Sequence, residues 1–263
     1  MFRNSNLDVL KQARILLSND DGAYAPGIHV LEEILGRIFD DIWVVAPTFE
    51  QSGAGHSLTI TRPLRIKQLD TKRFAVDGTP TDCVLLATCE VLKDKKPDLV
   101  ISGINYGRNV ADHITYSGTV AAAMEATLLG IPSIAVSLEV SQSHKPRWEN
   151  VETYLPQLIQ KVAHLSWPPD VFLNVNFPDK ELEDIKGFKI AQQGRRHLSN
   201  PPIKRDDPFG VPYYWLDVVQ HETFAHNTDL DALMEGWVTV TPLHVNLTHY
   251  PTIDRLTHLF NAF

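Results

Sequence analysis

Two adjacent carboxylates, Asp20 and Asp21, close a short apolar run at residues 15–17 and are followed at once by Gly22. An apolar strand that stops abruptly at charged residues and a glycine opens onto a site. In an open α/β sheet, ligands gather at the carboxyl ends of the strands, which would put both acids at the mouth of the fold. Acids side by side repel each other, and the pair persists most easily with a cation between them. The same residues also suit a plain polar turn in which 19–22 only cap the next helix.

Three further clusters follow predicted strands. Glu50-Gln51-Ser52-Gly53-Ala54-Gly55-His56 offers two glycines for close backbone approach and the Ser52 hydroxyl. Ser102-Gly103-Ile104-Asn105-Tyr106-Gly107-Arg108-Asn109 sets two asparagines between glycines, as neutral oxygen ligands or as donors to an anion. Tyr116-Ser117-Gly118-Thr119 opens an alanine-rich helix. Free N–H groups at a helix start, a glycine and two hydroxyls make an anion site, although Ser117 also suits a simple cap.

The elements that must position these clusters alternate. Residues 14–17, 42–46, 99–101, 134–136 and 171–175 have the apolar runs of buried strands, and residues 27–39, 79–92 and 119–129 have helical spacing. The expected fold is therefore α/β, a doubly wound, mostly parallel, Rossmann-like sheet with helices on both faces. Beyond residue 175 the rhythm changes. Strands at 188–191, 213–219 and 237–241, with a long excursion at 194–212, suggest a β-rich C-terminal extension, and residues 58–69 alternate like a hairpin arm. We read residues 1–263 as a single domain, with an α/β core over about 13–180 and the extension over about 181–263.

With 24 basic and 32 acidic residues the net charge is −8, which argues against a partner bound through a nucleic-acid duplex backbone. Residues 1–12 are polar and no apolar run reaches membrane-spanning length, so neither a signal peptide nor a membrane partner is expected. Cys83 and Cys89 lie on one predicted helix, turned well apart, and are expected to be core thiols of a reducing compartment, by default the cytoplasm.

Taken together, these motifs resemble the SurE family of survival-protein 5′/3′-nucleotidases. The matching stretches are residues 15–22 with Pro26-Gly27, 44–47 through Gln51-Ser52-Gly53, Gly55-His56-Ser57, 78–84, 102–109 and 116–125. Later come 174–178, Tyr214-Trp215 and 236–243, so the resemblance spans nearly the whole chain after the first dozen residues. It implies a metal-dependent phosphomonoesterase that hydrolyses nucleoside 5′- and 3′-monophosphates; the expected attack is by a metal-activated water, with Asp20 or Asp21 orienting it. Carried over residue by residue, the metal ligands fall on Asp20, Asp21, Ser52 and Asn105. Two carboxylates, a hydroxyl and an amide suit one hard divalent cation, Mg²⁺ or Mn²⁺. Asn109 and the helix start Ser117-Gly118-Thr119 would hold the phosphate. The resemblance also implies a homodimer or homotetramer assembled through the C-terminal part. His56 and His113 are the candidates for giving a proton to the leaving ribose oxygen, although each suits a structural role better. One departure is local: after Tyr214-Trp215 the family commonly enters a glycine-containing turn, whereas 216–219 stays strand-like.

Two other classes compete. A phosphatase with an aspartyl-phosphate intermediate also places acids after its first strand, but it needs them two residues apart, and here they are adjacent. A regulatory nucleotide-binding module would use the same residues to hold a ligand without turning it over. No dinucleotide fingerprint or Walker motif is present.

Overall fold

The computed structural model describes residues 11–141, 145–163, 166–195, 202–215 and 226–260. Because Ile15, Leu16 and Leu17 are all apolar, the strand they form, β1 (Arg14–Ser18), is buried on both faces and lies inside the sheet. It pairs in parallel with β2 (Asp41–Pro47) on one side and with β5 (Leu99–Tyr106) on the other. Beyond β2 come β4 (Arg73–Val76) and the edge strand β3 (Ile66–Asp70). Beyond β5 come β6 (Ser133–Leu138), β7 (Val171–Phe177), β11 (Val238–His244) and β8 (Phe188–Ile190). Only β3–β4 and β7–β11 pair antiparallel in this sheet.

Helices cover both faces. On one, Ile28, Leu31 and Leu35 of α1 (Pro26–Gly36) and Leu155 and Ile159 of α4 (Trp148–Val162) share a core with Ile15 and Leu17. On the other, Cys83 and Val84 of α2 (Pro80–Leu86) and Ala122 and Ala126 of α3 (Gly118–Leu128) pack on Leu16, Val45 and Val100. The fold is thus α/β with a mostly parallel, doubly wound sheet.

Several elements differ from the expectations. The helix expected over 79–92 starts where anticipated, with a reciprocal capping box between Thr79 and Asp82, but it gives way after Leu86 to a π turn at Ala87–Val91. Of its two thiols Cys83 is buried and Cys89 is exposed, so Cys89 is not a core residue. Residues 58–65 form no strand, and only Ile66–Asp70 pairs with β4. Helix α4 lies outside the expected helices; it contains Pro156 and still buries Val151, Leu155 and Ile159 along one face.

In the C-terminal part, β8 and β11 extend the main sheet, while β9 (Ile203–Asp206) and β10 (Pro212–Trp215) form a separate antiparallel hairpin. The remainder of the expected strand 213–219, from 216 onward, lies outside the described residues. Helices α5 (Asp229–Met234) and α6 (Tyr250–Phe260) complete this region.

Candidate active site

Strand β1 delivers Asp20 and Asp21 just beyond its carboxyl end, and the turn that follows is pinned locally. Asn19 Nδ2 donates to the Gly22 carbonyl at 2.9 Å, and the Gly22 N–H donates to Asn19 Oδ1 at 3.1 Å. Gly22 has φ +108°, a conformation that a side chain would strain. The next strand's loop is fastened to the same point, because the Gln51 N–H donates to the Asp20 carbonyl at 2.8 Å.

The Asp20 carboxylate is buried, and α3 points straight at it. The Thr119 hydroxyl donates to it, and the Gly118 and Thr119 N–H groups at the helix start favour its charged form. Burial still pushes its pKa above the usual carboxylate value, with these donors opposing the rise. So close an approach requires glycine at 118, where a Cβ would stand 2.7 Å from the Asp20 Cβ. Asp21 is raised to about 6, first by burial and then by the Asp20 charge, while the Tyr106 N–H opposes the shift and Glu50 adds to it. Two carboxylates held in this way by neighbouring strands and a helix start form a site for positive charge.

Asn105 stands at the end of β5. Its Nδ2 donates to the Gly107 carbonyl at 2.8 Å, and its Oδ1 lies 3.2 Å from the Thr119 hydroxyl. Thr119 therefore ties together Asp20 and Asn105, two of the four expected ligands. The fourth, Ser52, is exposed on its loop and donates to Glu50 Oε1 at 2.9 Å. All four line one cavity of about 1180 Å³. No Lys or Arg is among the described residues of its wall.

The expected phosphate groups occupy the same rim, with partners of their own. Ser117 Oγ accepts from the Val120 N–H at 3.1 Å, so it does cap α3, and it also lines the cavity. Gly118 and Thr119 stand against Asp20. Asn109 lines the cavity while its Nδ2 donates to Ser137 Oγ at 2.9 Å. Asn174 and Asn176 of β7 both donate to the Asn109 carbonyl, and Asn176 Oδ1 accepts the Asn109 N–H at 2.8 Å. Of the two histidines, His113 lines the cavity. His56 instead places Nε2 2.8 Å from Glu125 Oε2 on α3 and contributes to a smaller cavity.

Sequence reasoning passed over part of this wall. Tyr106, Tyr116, Trp148, Pro146 and Pro202 give the cavity an apolar and aromatic flank, and Glu50 adds a carboxylate near Asp21. Tyr106 and Tyr116 lie inside the motifs already quoted, but an aromatic residue in a loop carries no signal of which way it faces.

The chain is similar to known proteins over most of its length. The family model of survival protein SurE matches residues 15–200. A 5′-nucleotidase SurE of Paramagnetospirillum magneticum is 49% identical over 248 residues, covering 94% of this chain and 95% of that protein. One from Caulobacter vibrioides is 45% identical over 249 residues, covering 92% and 94%. The crystal structure of the SurE protein from Aquifex aeolicus superimposes with a TM-score of 0.82 at 43% identity, covering 94% of this chain and 99% of that one.

Proposed function

Because the chain belongs to the SurE family, we propose that it is a metal-dependent nucleotidase that hydrolyses nucleoside 5′- and 3′-monophosphates to nucleoside and phosphate. The observation that carries this reading is the convergence of Asp20, Asp21, Ser52 and Asn105 on one cavity with an aromatic flank. These four residues would hold one divalent cation. They fit it: all the donors are oxygens, and no Lys or Arg is among the described residues of the cavity wall to neutralise the carboxylates. Mg²⁺ or Mn²⁺ suits such a set. When bound, the cation supplies Lewis acidity at the phosphoryl oxygens and at the attacking water.

The chain's own residues do the rest. Asp21, less buried than Asp20 and free of the α3 donors, orients the water and takes up its proton. Ser117 accepts from Val120 and so keeps its own O–H to donate to the phosphate. Asn109 keeps one of its two amide protons for the same task. The Gly118 and Thr119 N–H groups at the start of α3 join Ser117 in holding the phosphate, while the Thr119 hydroxyl fixes the Asp20 carboxylate. The nucleoside rests on the flank made by Tyr106, Tyr116 and Trp148, which is sequence-tolerant because every base has a π face. His56 is turned away onto Glu125, and solvent gives a proton to the leaving ribose oxygen.

We further propose that the protein works in the cytoplasm as a homodimer or homotetramer. Phe209, Tyr214 and Trp215 on the β9–β10 hairpin and Leu259 and Phe260 on α6 are exposed apolar groups that a second copy would cover. No described helix is long and apolar enough to cross a membrane.

The deciding experiment is phosphate release from a panel of 5′- and 3′-nucleoside monophosphates with Mg²⁺, Mn²⁺ or chelator. Release that requires the metal and favours nucleotides supports the proposal. Binding without release under any metal would leave a nucleotide-holding module.

A further inference from the structure

Residues 109–117 form one side of the cavity, through Asn109, His113, Tyr116 and Ser117. Near the start of this segment Ala111 has φ +53°, a left-handed conformation that a non-glycine residue adopts only when its surroundings impose it. Both backbone polar groups of Ala111 are held from the C-terminal part of the chain. The Ala111 N–H donates to Asp229 Oδ2 at 2.9 Å, and its carbonyl accepts from Gln193 Nε2 at 3.1 Å. Asp229 is fully buried, and its Oδ1 accepts the N–H groups of Gly194 at 2.9 Å and of Leu230 at 2.8 Å. Its own N–H donates to the Gln192 carbonyl at 2.8 Å, which joins residues 192–194 to α5.

We infer that Asp229 is a positioning residue for the hydrolysis, holding Ala111 left-handed so that Tyr116 and Ser117 meet the substrate. The inference rests on the reading of the cavity as the nucleotide site. A carboxylate is needed because three N–H donors converge on it and each requires an acceptor. Asparagine has nearly the same shape but would turn an NH₂ group toward one of those donors, leaving a buried clash. The left-handed conformation then loses its support, and relaxation of Ala111 toward negative φ swings the 3₁₀ turn Ala111–Tyr116 away from the cavity. Asp229 touches no reacting atom, so its effect passes through Ala111.

The test compares wild type, Asp229→Asn, Ala111→Gly and the double variant, well below their melting temperatures. It reads kcat and KM for phosphate release and, by calorimetry, binding of a nucleoside monophosphate with Mg²⁺ or Mn²⁺. Asp229→Asn is expected to lower kcat/KM about tenfold or more, because small misplacement of binding groups is costly to rate. Ala111→Gly in that background is expected to restore most of the loss, since glycine adopts φ +53° without the strain that a Cβ imposes. A residue that served stability alone would lower the melting temperature and leave kcat and KM unchanged. A folded Asp229→Asn with constants within about twofold of wild type overturns the inference, as does a loss that Ala111→Gly fails to restore. Should Asp229→Asn not fold, Gln193→Ala removes the other hold on Ala111, with an expected rise in KM of about threefold; no change would equally overturn the inference. Wild type that neither binds nor hydrolyses nucleotides removes the nucleotide reading and this one together, whereas active wild type with an equally active Asp229→Asn removes only this one.

Discussion

Thr119 is the residue on which the proposed metal centre hinges, because one hydroxyl contacts both Asp20 and Asn105. Thr119→Val keeps the shape and removes that link. Loss of such an outer partner is expected to weaken metal affinity about 10- to 100-fold, read by titrating Mn²⁺ in the phosphate-release assay. Asp20→Asn goes further, since it withdraws a charge from the cation and an acceptor from the donors of α3. Turnover is expected to fall by more than for Thr119→Val while circular dichroism stays native; wild-type rates in that variant would remove Asp20 from the metal set. Ser117→Ala should act more gently on rate, and it should cost about 1 kcal/mol of stability as a lost helix cap, measured by urea unfolding.

At the scale of elements, the site depends on two helix starts that come unusually near a strand. Gly118 lets α3 approach Asp20, and Gly27 lets α1 approach β5, where a Cβ would stand 2.1 Å from the Ile104 carbonyl oxygen. That neighbour is backbone and cannot rotate aside. Gly27→Ala is therefore expected to destabilise by at least about 1–3 kcal/mol, shown as a lower urea midpoint with an unchanged slope. A midpoint equal to wild type would mean that α1 can shift without cost. The loop bearing Ser52 is fastened by Gly55 N–H to the Tyr116 carbonyl at 3.1 Å and by His56 to Glu125. The histidine that sequence reasoning weighed as an acid thus serves as a tether.

The whole molecule has its charge anchor at the opposite end of the sheet from the site. Asp41, on β2, receives Lys72 at 2.7 Å, Arg14 at 2.8 Å and the Trp43 indole N–H at 2.8 Å. Partial burial alone would raise its pKa, but these donors outweigh it and hold the carboxyl at about 2. A folded-state value below the unfolded one contributes stability that is fully present above about pH 4 and is lost as pH falls toward 2. Thermal melts between pH 5 and 2 should show that loss, and Asp41→Asn should flatten it; an equally steep decline in the variant would assign the acid sensitivity elsewhere. Association through the exposed hairpin and α6 belongs to this scale too, and sedimentation of the full chain tests it directly.

Much of this protein follows from local sequence. Residues buried on both faces had to be continuous apolar runs, which made β1, β2, β5, β6 and β7 legible, and Thr79, Ser117 and the alanines after it marked two helix starts by their own chemistry. The motifs placed Asp20, Asp21, Ser52 and Asn105 at strand ends, and strand ends of a parallel sheet converge wherever the chain runs between them. What sequence could not carry was direction and partnership. Whether the start of α3 faces Asp20 or open solvent depends on how closely a helix packs against a strand about a hundred residues away. Whether Tyr106 and Trp148 line one wall depends on where α4 docks. The hold of Asp229 on Ala111 joins two segments 118 residues apart, a contact that no local pattern encodes and that arises only once the sheet has brought them together.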